Sequence, residues 1–143
     1  MTEQQEEAAS ARQAGLLACC RYLAGQFGMS GLIARLDPLI EQPGADGRKE
    51  TLEAVIRAAR QEGLQTVIQQ PEPAHLAALV PRLPVVTELR DGRYLVITRL
   101  DVGRDGKPDG LHLLEPRPEG DRQQRVTLPE FLAASAGGVL YFE

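Results

Sequence analysis

Apolar residues near the N-terminus recur at the spacing of one face of an α-helix. Four of them stand at i, i+4, i+7 and i+11 and therefore share a narrow stripe: Leu16, Cys20, Leu23 and Phe27. This pattern predicts a helix from residue 11 to about residue 27. Residues 1–10 before it are polar and acidic, and we expect a disordered tail there.

Two further helices are predicted in the first half of the chain. Residues 50–62 repeat an apolar face at helical spacing, and Gly63 follows as the C-terminal stop. A shorter helix over residues 31–36 has Ser30 as its N-cap and ends before Pro38. Short helical patterns that begin near a proline occupy residues 71–79 and 130–136.

Strand-like runs dominate the chain from residue 64 onward. They occupy residues 64–70, 85–89, 94–100, 111–114, 124–128 and 139–142. Asp91-Gly92, between the second and third runs, predicts a tight hairpin. We expect a polar loop over residues 101–110, and we expect Gly137-Gly138 to end the last helix. Helices followed by an antiparallel meander predict an α+β fold.

Composition narrows the function classes. The chain has 143 residues, of which 43% are hydrophobic, so we expect one globular domain over residues 11–143. Its net charge of −4 argues against binding to nucleic acid. No apolar run approaches the roughly 18 residues that a membrane-spanning helix needs. Cys19 and Cys20 are adjacent, which indicates a reducing compartment rather than a disulfide framework.

Five short motifs follow one another in a fixed order. They are Leu-Leu-Ala-Cys at residues 16–19, a helix with Arg-Ala-Ala and a final Gly-Leu at 52–64, Leu-Pro-Val-Val at 83–86, Asp-Gly-Arg at 91–93 and Gly-x-x-x-Phe at 138–142. This order resembles the family-39 cysteine peptidase-like domain at the N-terminus of bacterial ABC exporters, in particular its degenerate form on type I secretion transporters of RTX toxins and adhesins. The resemblance implies a papain-like fold, with N-terminal helices packed on an antiparallel sheet.

The resemblance also implies that the family's catalytic residues are lost. In active members a cysteine opens the first helix, whose N-terminus lowers the thiol pKa, and that position here falls at Ala14 or Gly15. The general-base histidine is matched by Tyr94, which keeps its proton at neutral pH. The orienting aspartate is matched by Glu115. We therefore expect no peptidase activity.

A binding role for the old catalytic groove is the function that the resemblance implies. In degenerate members the groove is taken to hold an unfolded stretch of the exported protein, and the groove residues here are Gly15, Glu88, Tyr94 and Glu115. The implied partners are an RTX-type substrate and the membrane and nucleotide-binding domains of the transporter, at the cytoplasmic face of the bacterial inner membrane. Coupling to the transport machinery is the other role that stays open.

Two different functions remain as alternatives. An active cysteine peptidase that cleaves a leader peptide would use Cys19, with His75 or His112 as its base. Against it, Cys20 lies in the apolar stripe as core residues do, and a cysteine in mid-helix lacks the helix N-terminus that activates a thiol. The second alternative is a free-standing protein-interaction adaptor.

We expect neither a metal nor a cofactor. The two histidines and two cysteines are too scattered for a zinc site. The loop that begins at Asp101 resembles the start of a calcium loop, but its third position is Gly103 and its twelfth is His112, where an EF-hand has a bidentate glutamate. The chain also lacks the P-loop with which it could use ATP by itself.

Overall fold

Three helices precede the strands along the chain. The structure is a computed structural model that describes residues 3–41 and 48–143. Its helices and strands are α1 Glu3–Gln26, α2 Ser30–Glu41, α3 Arg48–Gln61, β1 Thr66–Gln69, a 3₁₀ helix Pro73–Arg82, β2 Val85–Leu89, β3 Tyr94–Val102, β4 Pro108–Glu115, β5 Arg122–Thr127, α4 Leu128–Ala134 and β6 Ser135–Phe142.

The strands form one antiparallel sheet in the order β1-β6-β2-β3-β4-β5. The last strand of the chain therefore lies between two earlier strands. The β2–β3 hairpin turns at Asp91-Gly92, where Gly92 has a φ of 91° and its amide donates to the Leu89 carbonyl. The predicted α+β architecture and the predicted hairpin are both confirmed.

One face of α1 is buried against α2, α3 and the strands β2 and β3. Among residues 14–26, the part of this helix whose side chains the structure describes, six side chains are buried: Leu16, Leu17, Cys19, Cys20, Leu23 and Ala24. The buried face is wider than the predicted stripe, because it includes residues on the flank of that stripe. Arg21 and Gly25 on the opposite side are exposed, as predicted. Full burial of one leucine side chain contributes about 1.5–3 kcal/mol, so this face holds α1 firmly on the sheet.

The predicted stripe of α1 extends one residue too far. Phe27 is 47% exposed, because the helix ends before it and the chain turns at Gly28, whose φ is 67°. The Met29 amide donates to the Ala24 carbonyl at 2.8 Å, and the Gly28 amide donates to the Gly25 carbonyl at 3.3 Å. This is a Schellman C-cap.

At its other end α1 begins earlier than predicted. Residues 3–10, where we expected a disordered tail, continue the helix, which starts at Glu3. Glu, Gln and Ala, which make up most of these residues, have high helix propensity. Although α1 has 24 residues, none of the described helices combines the length and the apolar character that crossing a membrane requires.

Helix α2 continues through Pro38 instead of ending before it. A proline removes one helical hydrogen bond, but the residues that follow it gain burial. Leu39 and Ile40 pack against the core. Asp37, the residue before the proline, accepts a hydrogen bond at its Oδ1 from Nε of Arg21 in α1 at 2.6 Å. Tertiary packing thus outweighs the local signal.

Two boundaries in the second half also differ from the prediction. Strands β3 and β4 both extend into residues 101–110, so the polar loop between them is shorter than expected. Gly137-Gly138 does not end α4 but lies within β6. A capping box between Thr127 and Glu130 marks the start of α4. The strand β6 follows α4 directly, and its first residue, Ser135, pairs with Leu89 of β2.

The predicted stop of α3 at Gly63 is confirmed. Gly63 has a φ of 74°, and its amide donates to the Arg60 carbonyl at 3.0 Å. The Leu64 amide donates to the Ala59 carbonyl at 2.9 Å. Glycine suits this position because left-handed backbone carries no Cβ penalty there.

Gly63→Ala and Gly25→Ala should change stability in opposite directions. A Cβ at either position would meet no atom within 4 Å, so the backbone conformation decides the sign. At Gly63 the left-handed conformation costs an alanine about 1–2 kcal/mol. At Gly25, in an exposed helical position, alanine should stabilise by about 0.5–1 kcal/mol. Urea unfolding of both variants checks this, and a stabilised Gly63→Ala protein would contradict the C-cap.

Candidate functional site

Ala14 and Gly15, the residues matched to the family's nucleophile, lie in the interior of α1. The helix starts at Glu3, about three turns earlier. An interior residue donates its N–H to the carbonyl four residues before it, so this position does not present the free N–H groups of a helix N-terminus. Ala14 is exposed and Gly15 is half-buried. A Cβ on Gly15 would meet no atom within 4 Å.

Both cysteines lie on the buried face of α1. Cys19 and Cys20 have no exposed surface, and both are free thiols. Burial raises the pKa of Cys20 to about 12. Burial also raises the pKa of Cys19 well above its usual value, and the charges of Cys20 and Glu115 raise it further. Because the thiolate is the nucleophile, these environments work against thiol catalysis at neutral pH.

The two histidines contact carboxylates elsewhere in the molecule. His75 is exposed in the 3₁₀ helix, with Nδ1 3.9 Å from Oε2 of Glu72. His112 in β4 has Nε2 3.0 Å from Oδ2 of Asp101, and the same oxygen accepts a hydrogen bond from Nε of Arg125 at 2.8 Å. Each imidazole thus contacts a carboxylate, whereas a cysteine peptidase pairs its histidine with the nucleophilic thiol.

Glu88 and Tyr94 line a pocket beside α1, which we call the groove pocket. The two residues are register partners across β2 and β3. The pocket is open to solvent, and its lining includes Leu16 and Leu140. Tyr94 is buried and Glu88 is half-buried. The structure thus brings together two of the four predicted groove residues, and Leu16 places the pocket next to Gly15.

Glu115 lies outside the groove pocket, contrary to the predicted grouping. It lines a different pocket together with Leu95. Side chains alternate along a strand, so Leu95 and Tyr94 point to opposite faces of β3. Oε1 of Glu115 accepts a hydrogen bond from Nε of Arg117 at 2.9 Å, and Oε2 lies 3.7 Å from Nη1 of Arg93. Its carboxylate is therefore engaged by arginines on the Leu95 face.

Sequence reasoning missed most of the walls of the groove pocket. Leu52 of α3, Ile68 of β1 and Gly138 of β6 all line it. The Gly138 carbonyl accepts a hydrogen bond from Oγ1 of Thr87 at 3.0 Å, and a Cβ on Gly138 would meet no atom within 4 Å. The helical spacing of apolar residues in α3 predicts that Leu52 faces inward. The insertion of β6 between β1 and β2 is what brings these residues together, and no local pattern signals it.

Within residues 3–41 and 48–143, no cluster of His, Cys, Asp or Glu side chains is placed to hold a metal ion. In the loop that resembles a calcium site, Asp101 is engaged by cations. The hydrogen bond from Arg125 lowers the pKa of Asp101, and the contact with His112 lowers it further. Oδ1 of Asp105 accepts a hydrogen bond from the Lys107 amide at 3.0 Å. These contacts are those of a solvated hairpin loop.

The fold is similar to that of solved peptidase domains from ABC transporters. The N-terminal peptidase C39-like domain of the toxin secretion ATP-binding protein from Vibrio parahaemolyticus has a TM-score of 0.57 at 17% identity, over 90% of this chain and 95% of that one. The peptidase domain of Streptococcus ComA, a bi-functional ABC transporter involved in a quorum sensing pathway, has a TM-score of 0.57 at 15% identity, over 96% of this chain and 91% of that one. No protein-family model and no curated protein matches the chain. The chain therefore has the α+β fold of peptidase C39-like domains, as its motifs predicted.

Both thiols should react with a thiol reagent only when the protein unfolds. With the pKa of Cys20 at about 12, its thiolate fraction at pH 8 is roughly a thousandth of that of an exposed cysteine. Mass spectrometry after maleimide treatment, in buffer and in denaturant, measures the effect. Prompt labelling of Cys19 in the native protein would contradict its burial and would favour a catalytic thiol.

Proposed function

We propose that this chain is a catalytically inactive peptidase C39-like domain of a type I secretion ABC exporter, which binds an unfolded segment of the exported protein. The observation that carries the proposal is the location of residues 14–15, inside α1 and beside an apolar pocket that Tyr94 lines. The domain spans residues 11–143 and acts at the cytoplasmic face of the bacterial inner membrane. Its partners are the membrane and nucleotide-binding domains of the transporter.

The absence of peptidase activity is supported at each catalytic position. Ala14 and Gly15 have no nucleophilic atom in their side chains. Tyr94 carries a phenol where the family has an imidazole, the side chain that most often serves as a general base near neutral pH. Glu115 lines a different pocket, so it is not positioned to orient a base at Tyr94. Without a nucleophile and a base, covalent acyl transfer has no route.

The groove pocket supports the binding role. It is a mostly apolar concavity, and ligand pockets are typically apolar concavities with a few polar groups. Its lining leaves open space at Gly138, where the polypeptide backbone has no side chain to keep a ligand away. A small concavity of this kind admits side chains of an extended segment and not a folded domain. RTX-type proteins, exported unfolded, are the substrates that we propose.

The alternatives have less support. An active peptidase would depend on Cys19, whose thiol is buried with a raised pKa. A domain that only couples to the transport machinery, or a free-standing adaptor, would use a surface other than the groove pocket. Mapping the residues that respond to a substrate segment separates these functions.

Titration with a glycine-rich RTX segment in its calcium-free, unfolded state tests the binding role. We expect backbone amide shifts at Tyr94 and Gly138. Gly138→Leu should fill the groove pocket and weaken the affinity at least about tenfold. Gly25→Leu, on the exposed side of α1, is the matched control and should leave the affinity unchanged. Both positions have space for a Cβ. Shifts confined to a face remote from Tyr94 would contradict the groove assignment and favour the coupling role.

Prolonged incubation of the chain with the same segment tests the absence of catalysis. Mass spectrometry should find the segment intact, because no activated nucleophile is available. Cleavage products that vanish in a Cys19→Ser variant would overturn the proposal and establish the cysteine peptidase alternative.

A further inference from the structure

The strand β1 lies at one edge of the sheet and directs the backbone groups of two residues away from it. Its neighbour within the sheet is β6. Just before β1, Gln65 and Glu143 exchange two backbone hydrogen bonds, at 2.9 and 2.8 Å. Hydrogen-bonded and non-hydrogen-bonded pairs alternate along antiparallel strands. Val67 therefore bonds to β6, whereas the N–H and C=O groups of Thr66 and Ile68 point outward.

Solvent reaches this outer side of β1. The Ile68 side chain is 52% exposed, and Gln69 and Gln70 after it are exposed. Within residues 3–41 and 48–143, the backbone hydrogen bonds of turns, loops and caps involve neither Thr66 nor Ile68. A strand edge with outward N–H and C=O groups is a template for pairing with another chain.

The two edges of the sheet differ in how they meet such a chain. At the opposite edge, β5 carries Arg122 and Arg125, which are both exposed. Charged side chains on an edge strand work against the addition of a further strand. The four residues of β1 are uncharged, and three of them are β-branched, as strand pairing favours. The edge at β1 is therefore the receptive one.

The groove pocket extends to this edge. Four neighbouring strands contribute to its lining, with Tyr94 in β3, Val86 in β2, Leu140 in β6 and Ile68 in β1. Leu140 is the register partner of both Val86 and Ile68, so these residues lie side by side across the sheet. A strand added to β1 would lie about 4.8 Å from it and thus beside the pocket.

We propose that an extended segment of the exported polypeptide binds as an added strand along β1. Its backbone pairs with Thr66 and Ile68, and every second side chain points to the face of the sheet on which the groove pocket lies. The inference rests on the proposed function and gives its mode of binding. Pairing through the backbone accepts many sequences, which suits an unfolded segment.

The length of β1 favours a segment over a second copy of this chain. The strand has four residues, and Thr66 and Ile68 offer one donor and one acceptor each. Pairing between two such edges gives few hydrogen bonds compared with the about ten of a typical protein interface. A segment adds contacts in the groove pocket to the same pairing.

A peptide series tests the pairing without any change in the protein. The probe is a capped, calcium-free, glycine-rich RTX segment in which one backbone N-methyl group is moved along by one residue at a time. N-methylation removes a donor, and in an added strand only every second N–H points at β1. We expect the Kd to rise about tenfold at every second position of the bound stretch and to change little between them.

Amide hydrogen exchange locates the added strand on the protein. In the free chain, the outward amide of Ile68 should exchange fast, whereas that of Val67, bonded to β6, should be protected. The bound segment should slow exchange at Ile68 at least about tenfold and leave Val67 little changed. Val67 is thus the control within the same strand.

Two variants at position 68 separate the backbone from the side chain. Ile68→Pro removes the outward N–H and no bond to β6, which is the kind of proline that an edge strand tolerates. Ile68→Ala loses the same aliphatic side chain and keeps the N–H. The segment should bind Ile68→Pro about tenfold more weakly than Ile68→Ala. Urea unfolding of both variants establishes that they fold.

The outcomes separate the inference from the proposed function. Kd values without a period of two, or unchanged exchange at Ile68 while Gly138 responds, would overturn the inference and leave groove binding intact. Equal affinities of the two variants at position 68 would overturn it as well. A dimer of the chain alone that protects Ile68 would assign the edge to a second copy instead. No response to any segment would contradict the proposed binding function itself.

Discussion

The packing of α1 against β2 and β3 is the interaction on which the rest of the structure depends. Its buried face carries Leu16, Cys20 and Leu23, each exposed by 2% or less. Val85 and Val86, neighbours in β2 with opposite orientations, are both buried, so the strand below the helix is covered on both faces. A shift of α1 along the sheet would expose this apolar surface, at about 25 cal/mol per Å². The position of α1 on the sheet is therefore fixed.

This position of α1 determines what its residues can do chemically. It holds Cys19 and Cys20 in the core, where burial keeps them protonated. It places residues 14–15 inside a continuous helix, away from the free N–H groups that activate a thiol. It also makes Leu16 one wall of the groove pocket. In our proposal, the loss of catalysis and the retention of a binding cleft thus have one structural origin.

The range of each interaction explains what the sequence could and could not predict. Gly63 was predicted correctly, since a helix stop is encoded in adjacent residues. The continuation of α2 through Pro38 was not predicted, because contacts with distant parts of the chain hold the helix there. In the candidate site, Glu88 and Tyr94 meet through a local hairpin pairing that the sequence signals. The location of Glu115 depends on the register between β3 and β4. This register shifts at an irregularity that the alternation of apolar and polar residues does not reveal.

Amide hydrogen exchange along α1 tests the central claim most directly. The claim is that the helix runs without interruption through residues 14–15. It predicts that the amides of residues 15–18 exchange at least about a hundredfold more slowly than in an unstructured peptide, as that of Cys20 should. A helix that began at Ala14 would leave its first N–H groups without intrahelical partners. Fast exchange at residues 15–17 beside a protected Cys20 would contradict the account.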